Sequence, residues 1–198
     1  MEIAPSYTVD DWTSLHLDPA NPEHNDWKTA VQILDKRFSR FFKPVDMLIE
    51  AEKQRGDEKP TFGFAILAID FLVIETIQAF RKGIYDHTNE SEKLIRNFLQ
   101  SWPAFISNSN NHGADSKRVY KSYRCALLHS GGTDFDCRIK VSGETFDFKT
   151  KDIMSINRKK FHRLLKLELA TYLEQLTEEG QFELRENCIK KMNHICGD

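Results

Sequence analysis

The sequence predicts a mainly α protein: an up-and-down helical bundle with one inserted β-hairpin near residues 135–149. Three observations carry this. Apolar residues recur at helical spacing, as in Val31, Leu34, Phe38, Phe41 and Phe42. The segment 62–82 is apolar on nearly every face, which marks a central helix covered by its neighbours. Residues 135–149 switch to a period of two, with Phe135, Cys137, Ile139 and Val141 alternating with polar residues before Phe146 and Phe148. With 198 residues, of which 40% are hydrophobic, the chain has enough apolar surface for one domain with a sizeable core.

Residues 1–24 contain Pro5, Pro19 and Pro22 and no apolar period. They read as an irregular arm, pinned to the body by Trp12, Leu15 and Leu17, and residues 25–198 as a single helical domain. The first helix opens at Asn25 or Asp26, both good caps, and Pro44 breaks or kinks it. A second run over 45–55 ends at Gly56, and a charged turn leads to Thr61. The buried helix 62–82 stops at Gly83. It carries Asp70, Glu75 and Gln78, which need partners if buried. Asn89 and Glu92 have the spacing of a capping box, opening a helix that ends near Trp102-Pro103. An Asn- and Ser-rich loop from 107 to 115 follows. Ser116 caps the next helix, and Gly131-Gly132 stops it beyond His129 or Ser130. Ser142-Gly143-Glu144 forms the hairpin turn. A long helix over about 157–178 starts with the basic run Arg158-Lys159-Lys160, read as a solvated face, and contains His162 in a surface or core role. Gly180 separates it from a last helix over about 181–195.

Composition narrows the function. The net charge of −2 argues against a protein that coats nucleic acid through bulk charge, and leaves room for a local basic patch. The first residues lack a basic n-region and an apolar h-region. The longest apolar stretch, 62–74, is interrupted by Asp70 and is shorter than the ~20 residues of a bilayer span. A cytoplasmic protein with reduced thiols and no membrane contact is expected. Cys125, Cys137, Cys188 and Cys196 form no C-x-x-C pair, so they read as small hydrophobes rather than metal ligands, and no cofactor is expected. The sequence has no P-loop, G-x-G-x-x-G, H-E-x-x-H or G-x-S-x-G motif.

The most informative segment runs from Lys117 to Gly132. Lys117, Arg118, Lys121 and Arg124 fall within eight positions. An apolar interval, Ala126-Leu127-Leu128, then leads to His129 at the helix terminus. On an α-helix Lys117, Lys121 and Arg124 share a face. Tyr120 and Tyr123 are interleaved, a pattern that suits a phosphate-and-base surface, so Lys117, Arg118, Tyr120 and Lys121 are candidate RNA contacts. Arg124 offers a planar fork of donors matched to phosphate, and His129 can pass protons near neutral pH. Five residues on an ideal α-helix span about 140° of rotation and about 7.5 Å of rise. The pair therefore converges only if the helix end unwinds or a second copy completes the site. Arg81 and His87 have a comparable spacing, but Gly83 and Asp86 between them read as a helix end followed by a loop.

Arg124-Cys-Ala-Leu-Leu-His129 resembles the Arg-x(4–6)-His motif of the HEPN superfamily, in a setting that also looks similar: a late helix of a helical bundle. The resemblance spans about residues 26–130 and the long late helix. It implies a HEPN-like bundle and a metal-independent endoribonuclease of a defence or toxin system, leaving 2′,3′-cyclic phosphate ends. It further implies a homodimer with a composite active site, and an antitoxin or other protein as partner. Arg124 would bind phosphate and His129 would transfer the proton. An acidic residue from an earlier helix would sit near the Arg, with Glu75 the first candidate and Asp70 the second. Cys125 follows the Arg where members of the family often carry a polar residue. Together with the acidic overall charge, it supports a competing reading: a catalytically silent module that binds RNA, a nucleotide or a protein.

Overall fold

The computed structural model describes residues 1–55, 61–148 and 153–197. The chain is mainly helical with a small sheet. Its centre is the helix α3 (Gly63–Lys82), which buries Ile66, Leu67, Phe71, Val73, Ile74, Ile77, Ala79 and Phe80. With apolar residues all round, α3 gains most by being enclosed. It packs against α2 (Asn25–Gln54), α4 (Ser91–Ser101), α8 (Arg158–Gln175) and α9 (Phe182–Cys196). By length and composition alone α3 could cross a membrane, but 61% of its most apolar window is buried inside the fold, as in a core helix.

Four expectations about the helices are corrected. The first concerns Pro44, which does not divide α2: the helix runs unbroken from Asn25 to Gln54. Pro44 lies on the exposed face, and Phe38, Phe42 and Val45 on either side are buried. Packing on both sides holds the helix across the missing hydrogen bond. Gly56 and the turn after Arg55 lie outside the described residues. The capping box at Asn89 is not formed. Asn89 has φ 62°, Glu90 is the cap without a side-chain bond, and the Glu92 carboxylate accepts Arg96 at 3.1 Å one turn on. Asn111, not Ser116, caps α6 (His112–Val119), accepting Ala114 N–H at 3.1 Å. Ser116 is buried inside the helix, where it accepts Gln100 Nε2 at 2.8 Å. Finally, Arg158 is a buried residue rather than part of a solvated face.

The N-terminal arm is ordered. β1 (Glu2–Ala4) pairs antiparallel with β2 (Tyr7–Thr8), and α1 (Val9–Thr13) follows with a capping box between Thr8 and Asp11. Trp12 is buried, and its Nε1 donates to Asn193 Oδ1 at 2.9 Å, which fixes the arm to α9.

The expected hairpin is a three-stranded sheet. β3 (Cys137–Lys140) and β4 (Phe146–Asp147) do not pair with each other; β5 (Met154–Asn157) lies between them, parallel to β3 and antiparallel to β4. All four β5 residues are buried, the polar Ser155 and Asn157 as well as Met154 and Ile156, so neither face meets solvent and the strand takes the centre. Phe135, read as part of the alternating strand, precedes β3 and is almost fully exposed. The short helix α5 (Pro103–Ile106) contributes Phe105, whose ring meets Phe146 edge-on, with centroids 5.1 Å apart.

A polar chain, buried at Asp70 and His162 and exposed at Asp46 and Lys166, ties α2, α3 and α8 together. Asp70 Oδ1 is 2.8 Å from His162 Nδ1, His162 Nε2 is 3.2 Å from Asp46 Oδ1, and Lys166 Nζ donates to Asp46 Oδ2 at 2.7 Å. Asp70 has no solvent exposure, and burial outweighs the His162 contact and pushes its carboxyl up to about 6. Its folded-state value thus lies above its unfolded value. Stability from the neutral form is fully present below about pH 4 and is lost as pH rises through about 6. The urea midpoint of the native protein, measured against Asp70→Asn, is expected to fall across this window. The slope should be at most about 1.4 kcal/mol per pH unit.

Candidate functional site

The helix carrying Arg124 is not uniformly α. Between α6 and α7 (Ala126–Ser130), residues Tyr120–Cys125 form a π-helical stretch. A π turn carries an additional residue, and such turns are common where a side chain must be re-aimed. Arg124 therefore leaves the face shared by Lys117 and Lys121 on an ideal helix. Tyr123, also in the stretch, is buried and donates its hydroxyl to Arg138 O at 2.8 Å, which fixes the stretch to the sheet. Gly131 ends α7 with φ 64°, a conformation that costs glycine nothing.

The re-aimed Arg124 meets α3. Its Nη2 donates to Glu75 Oε2 at 3.0 Å. The same oxygen accepts Ser91 Oγ from the start of α4 at 2.7 Å. Both side chains are mostly buried, so the charge-assisted bond is protected from water. The guanidinium also lies 5.7 Å from the centroid of the Tyr120 ring, a cation–π contact. Glu75 and Arg124 line a cavity of about 300 Å³ together with Leu72, Thr76, His87 and Leu128.

His87 belongs to this cluster. Its Nδ1 is 3.6 Å from Glu75 Oε1, and its Nε2 is 2.9 Å from Lys191 Nζ, which reaches in from α9. Burial and the nearby ammonium hold the imidazole below its usual range. Burial, then Arg37, likewise lowers Lys191. The ammonium donates to Nε2 of a neutral ring, which leaves the ring proton on Nδ1, facing Glu75. Lys191→Met is expected to raise the His87 titration midpoint, followed by NMR of the ring protons. An unchanged midpoint would mean that Lys191 does not set it.

The other candidate residues are placed as follows. His129 is exposed in the last turn of α7, one residue beyond Leu128, and does not line the described wall of the cavity. Lys117 and Lys121 are exposed. Arg118 is bound to Asp136 at 2.6 Å, and Tyr120 is half-buried beneath Arg124. Asp70, the second acid candidate, is committed to His162 in the core. Among the described residues no group of His, Cys, Asp and Glu is arranged to hold a metal ion. Cys137 and Cys188 are buried and Cys125 and Cys196 half-buried, all four as thiols.

Sequence reasoning missed His87, Ser91 and Lys191 as parts of this site. His87 carried a signal in its spacing from Arg81, but in the structure it belongs with Arg124 instead. Ser91 and Lys191 carried none, since each enters from a helix whose pattern reports only its own core face.

Compared with known proteins, the chain matches no family model, no curated protein and no solved structure.

Proposed function

We propose that the chain is a metal-independent endoribonuclease of HEPN type, acting as a cytoplasmic homodimer in a defence or toxin system. The observation that carries the proposal is Arg124, turned by a π-helical stretch onto Glu75 in the wall of a cavity, with His129 at the exposed end of the same helix. Glu75 engages Nη2 and orients the fork, so the remaining donors of the guanidinium can meet a phosphate. In the reaction the RNA 2′-oxygen bonds to the adjacent phosphorus and the bond to the 5′-oxygen breaks. Arg124 stabilises charge on the phosphorane. His129 moves a proton, from the 2′-hydroxyl or to the leaving oxygen. Lys117 and Lys121, both exposed, guide the strand. His87, engaged on both nitrogens, positions Glu75.

The distance between Arg124 and His129 along the helix favours a composite site in which each copy supplies one of the pair. Leu72 and Leu128 on the cavity wall are 48% and 56% exposed, an apolar rim that a second copy would cover. The test is incubation of the purified chain with structured and unstructured RNA in a chelator. Cleavage with 2′,3′-cyclic phosphate ends is the expected result. RNA binding without cleavage by a folded dimer would replace the proposal with the silent binding module, a reading favoured by the neutralisation of Arg124 by Glu75.

A further inference from the structure

A second cavity, of about 470 Å³, lies between the start of α3 and β3. Its wall includes Gly63, Phe64, Ile139, Lys140, Val141 and Arg158. Three features set its chemistry.

The first is an unsatisfied donor. Arg158 is 1% exposed, and its Nη2 is bound to the Glu52 carboxylate, which also accepts Phe62 N–H at 2.7 Å. Nη1 is buried and, among the described residues, has no hydrogen-bond partner. A buried guanidinium N–H without an acceptor is costly and calls for one. The second feature is the glycine packed beside that donor. A methyl group at Gly63 would come within 3.0 Å of Ile139 Cγ2 and 3.3 Å of Arg158 Nη1, so any side chain at this position would crowd the donor. The third is the character of the wall. Phe64 is 47% exposed and Val141 38% exposed, beside the cationic Lys140 and Arg138 and with no carboxylate among the described lining residues.

We propose that this cavity binds a carboxylate carried on an apolar body. One carboxylate oxygen accepts Nη1–H of Arg158, which a small shift of the Ile139 side chain uncovers, and the apolar part lies against Phe64, Ile139 and Val141. Glu52 balances Arg158, so the charge of the ligand is met by Lys140 and Arg138 at the rim. A phosphate suits the site less well, because it needs more donors than the one unpartnered nitrogen offers and gains nothing from the apolar wall. The proposal does not depend on ribonuclease activity.

Calorimetry on the full chain tests it with two pairs of probes. One pair is 4-phenylbutyrate and its amide. The other is a short peptide ending in phenylalanine with a free carboxylate and the same peptide amidated. Binding of one acid per chain is expected, with the matching amide roughly tenfold weaker. If the small acid is tighter the source is a free acid, and if the peptide is tighter the source is a chain terminus. Gly63→Ala should weaken the acid by at least about tenfold with the fold intact, since alanine favours a helix more than glycine. Lys140→Glu, which changes only the rim charge, should weaken it as well. Equal affinity for acid and amide, binding unaffected by Gly63→Ala, or no binding of any probe at about 1 mM would overturn the proposal.

Discussion

Arg124→Ala is expected to reduce RNA cleavage by about 100- to 1000-fold, the usual cost of removing a donor that stabilises charge in a transition state. Arg124→Lys should not restore it. Lysine keeps the charge but cannot engage Glu75 and a phosphate together through one planar fork. The loss should not reflect unfolding: Glu75 keeps the Ser91 hydroxyl at 2.7 Å, and the Tyr123 anchor of the π-helical stretch is untouched. His129→Ala should cost a comparable factor, about 100-fold or more. Because His129 is exposed, its removal should leave the denaturation midpoint within about 0.5 kcal/mol of the native protein. Mixing Arg124→Ala with His129→Ala discriminates further. If each active site takes Arg124 from one copy and His129 from the other, the mixed dimer retains one complete site and recovers part of the activity. If both residues of a site come from one chain, mixing recovers none. Full activity of Arg124→Ala would remove the ribonuclease reading.

Glu52→Ala is expected to destabilise the protein by about 3–5 kcal/mol, one of the largest losses available to a single substitution here. The size follows from what remains. Arg158 stays almost completely buried with its charge uncompensated, and Phe62 N–H loses its acceptor at the start of α3. Glu52→Gln should lose less, because the amide oxygen still accepts one of these donors. Urea denaturation of the two variants beside the native protein measures the difference. A loss below about 1 kcal/mol for Glu52→Ala would mean that water reaches Arg158 readily.

The helices and the sheet differ in how much of them could be read from the sequence. The apolar rows of α2, α3 and α8 are set by neighbours three and four residues apart, so their existence and their buried faces follow from local pattern. Their details are less local. Pro44 signalled a break, but packing of Phe42 and Val45 overrides it. Asn89 and Glu92 have capping-box spacing, but a left-handed Asn89 and the pull of Arg96 on Glu92 take those side chains elsewhere. Phe146 and Ile139 have strand periodicity, yet nothing near them shows that Met154–Asn157 lies between β3 and β4. For the candidate site, the resemblance offered Glu75 first and Asp70 second as the acid beside Arg124, and His129 as its companion. Only the fold decides which of them meet.

By itself the sequence determined that the protein is mainly helical and that residues 62–82 form its centre. Each of these rests on periodicity or composition within a few turns of chain. Tertiary structure decided that Glu75 rather than Asp70 holds Arg124, across 49 positions, that Glu52 holds Arg158 across 106, and that His87 and Lys191 join the first of these pairs. Such contacts depend on which helix faces meet, and polar residues on buried faces leave no period in the sequence to announce their partners.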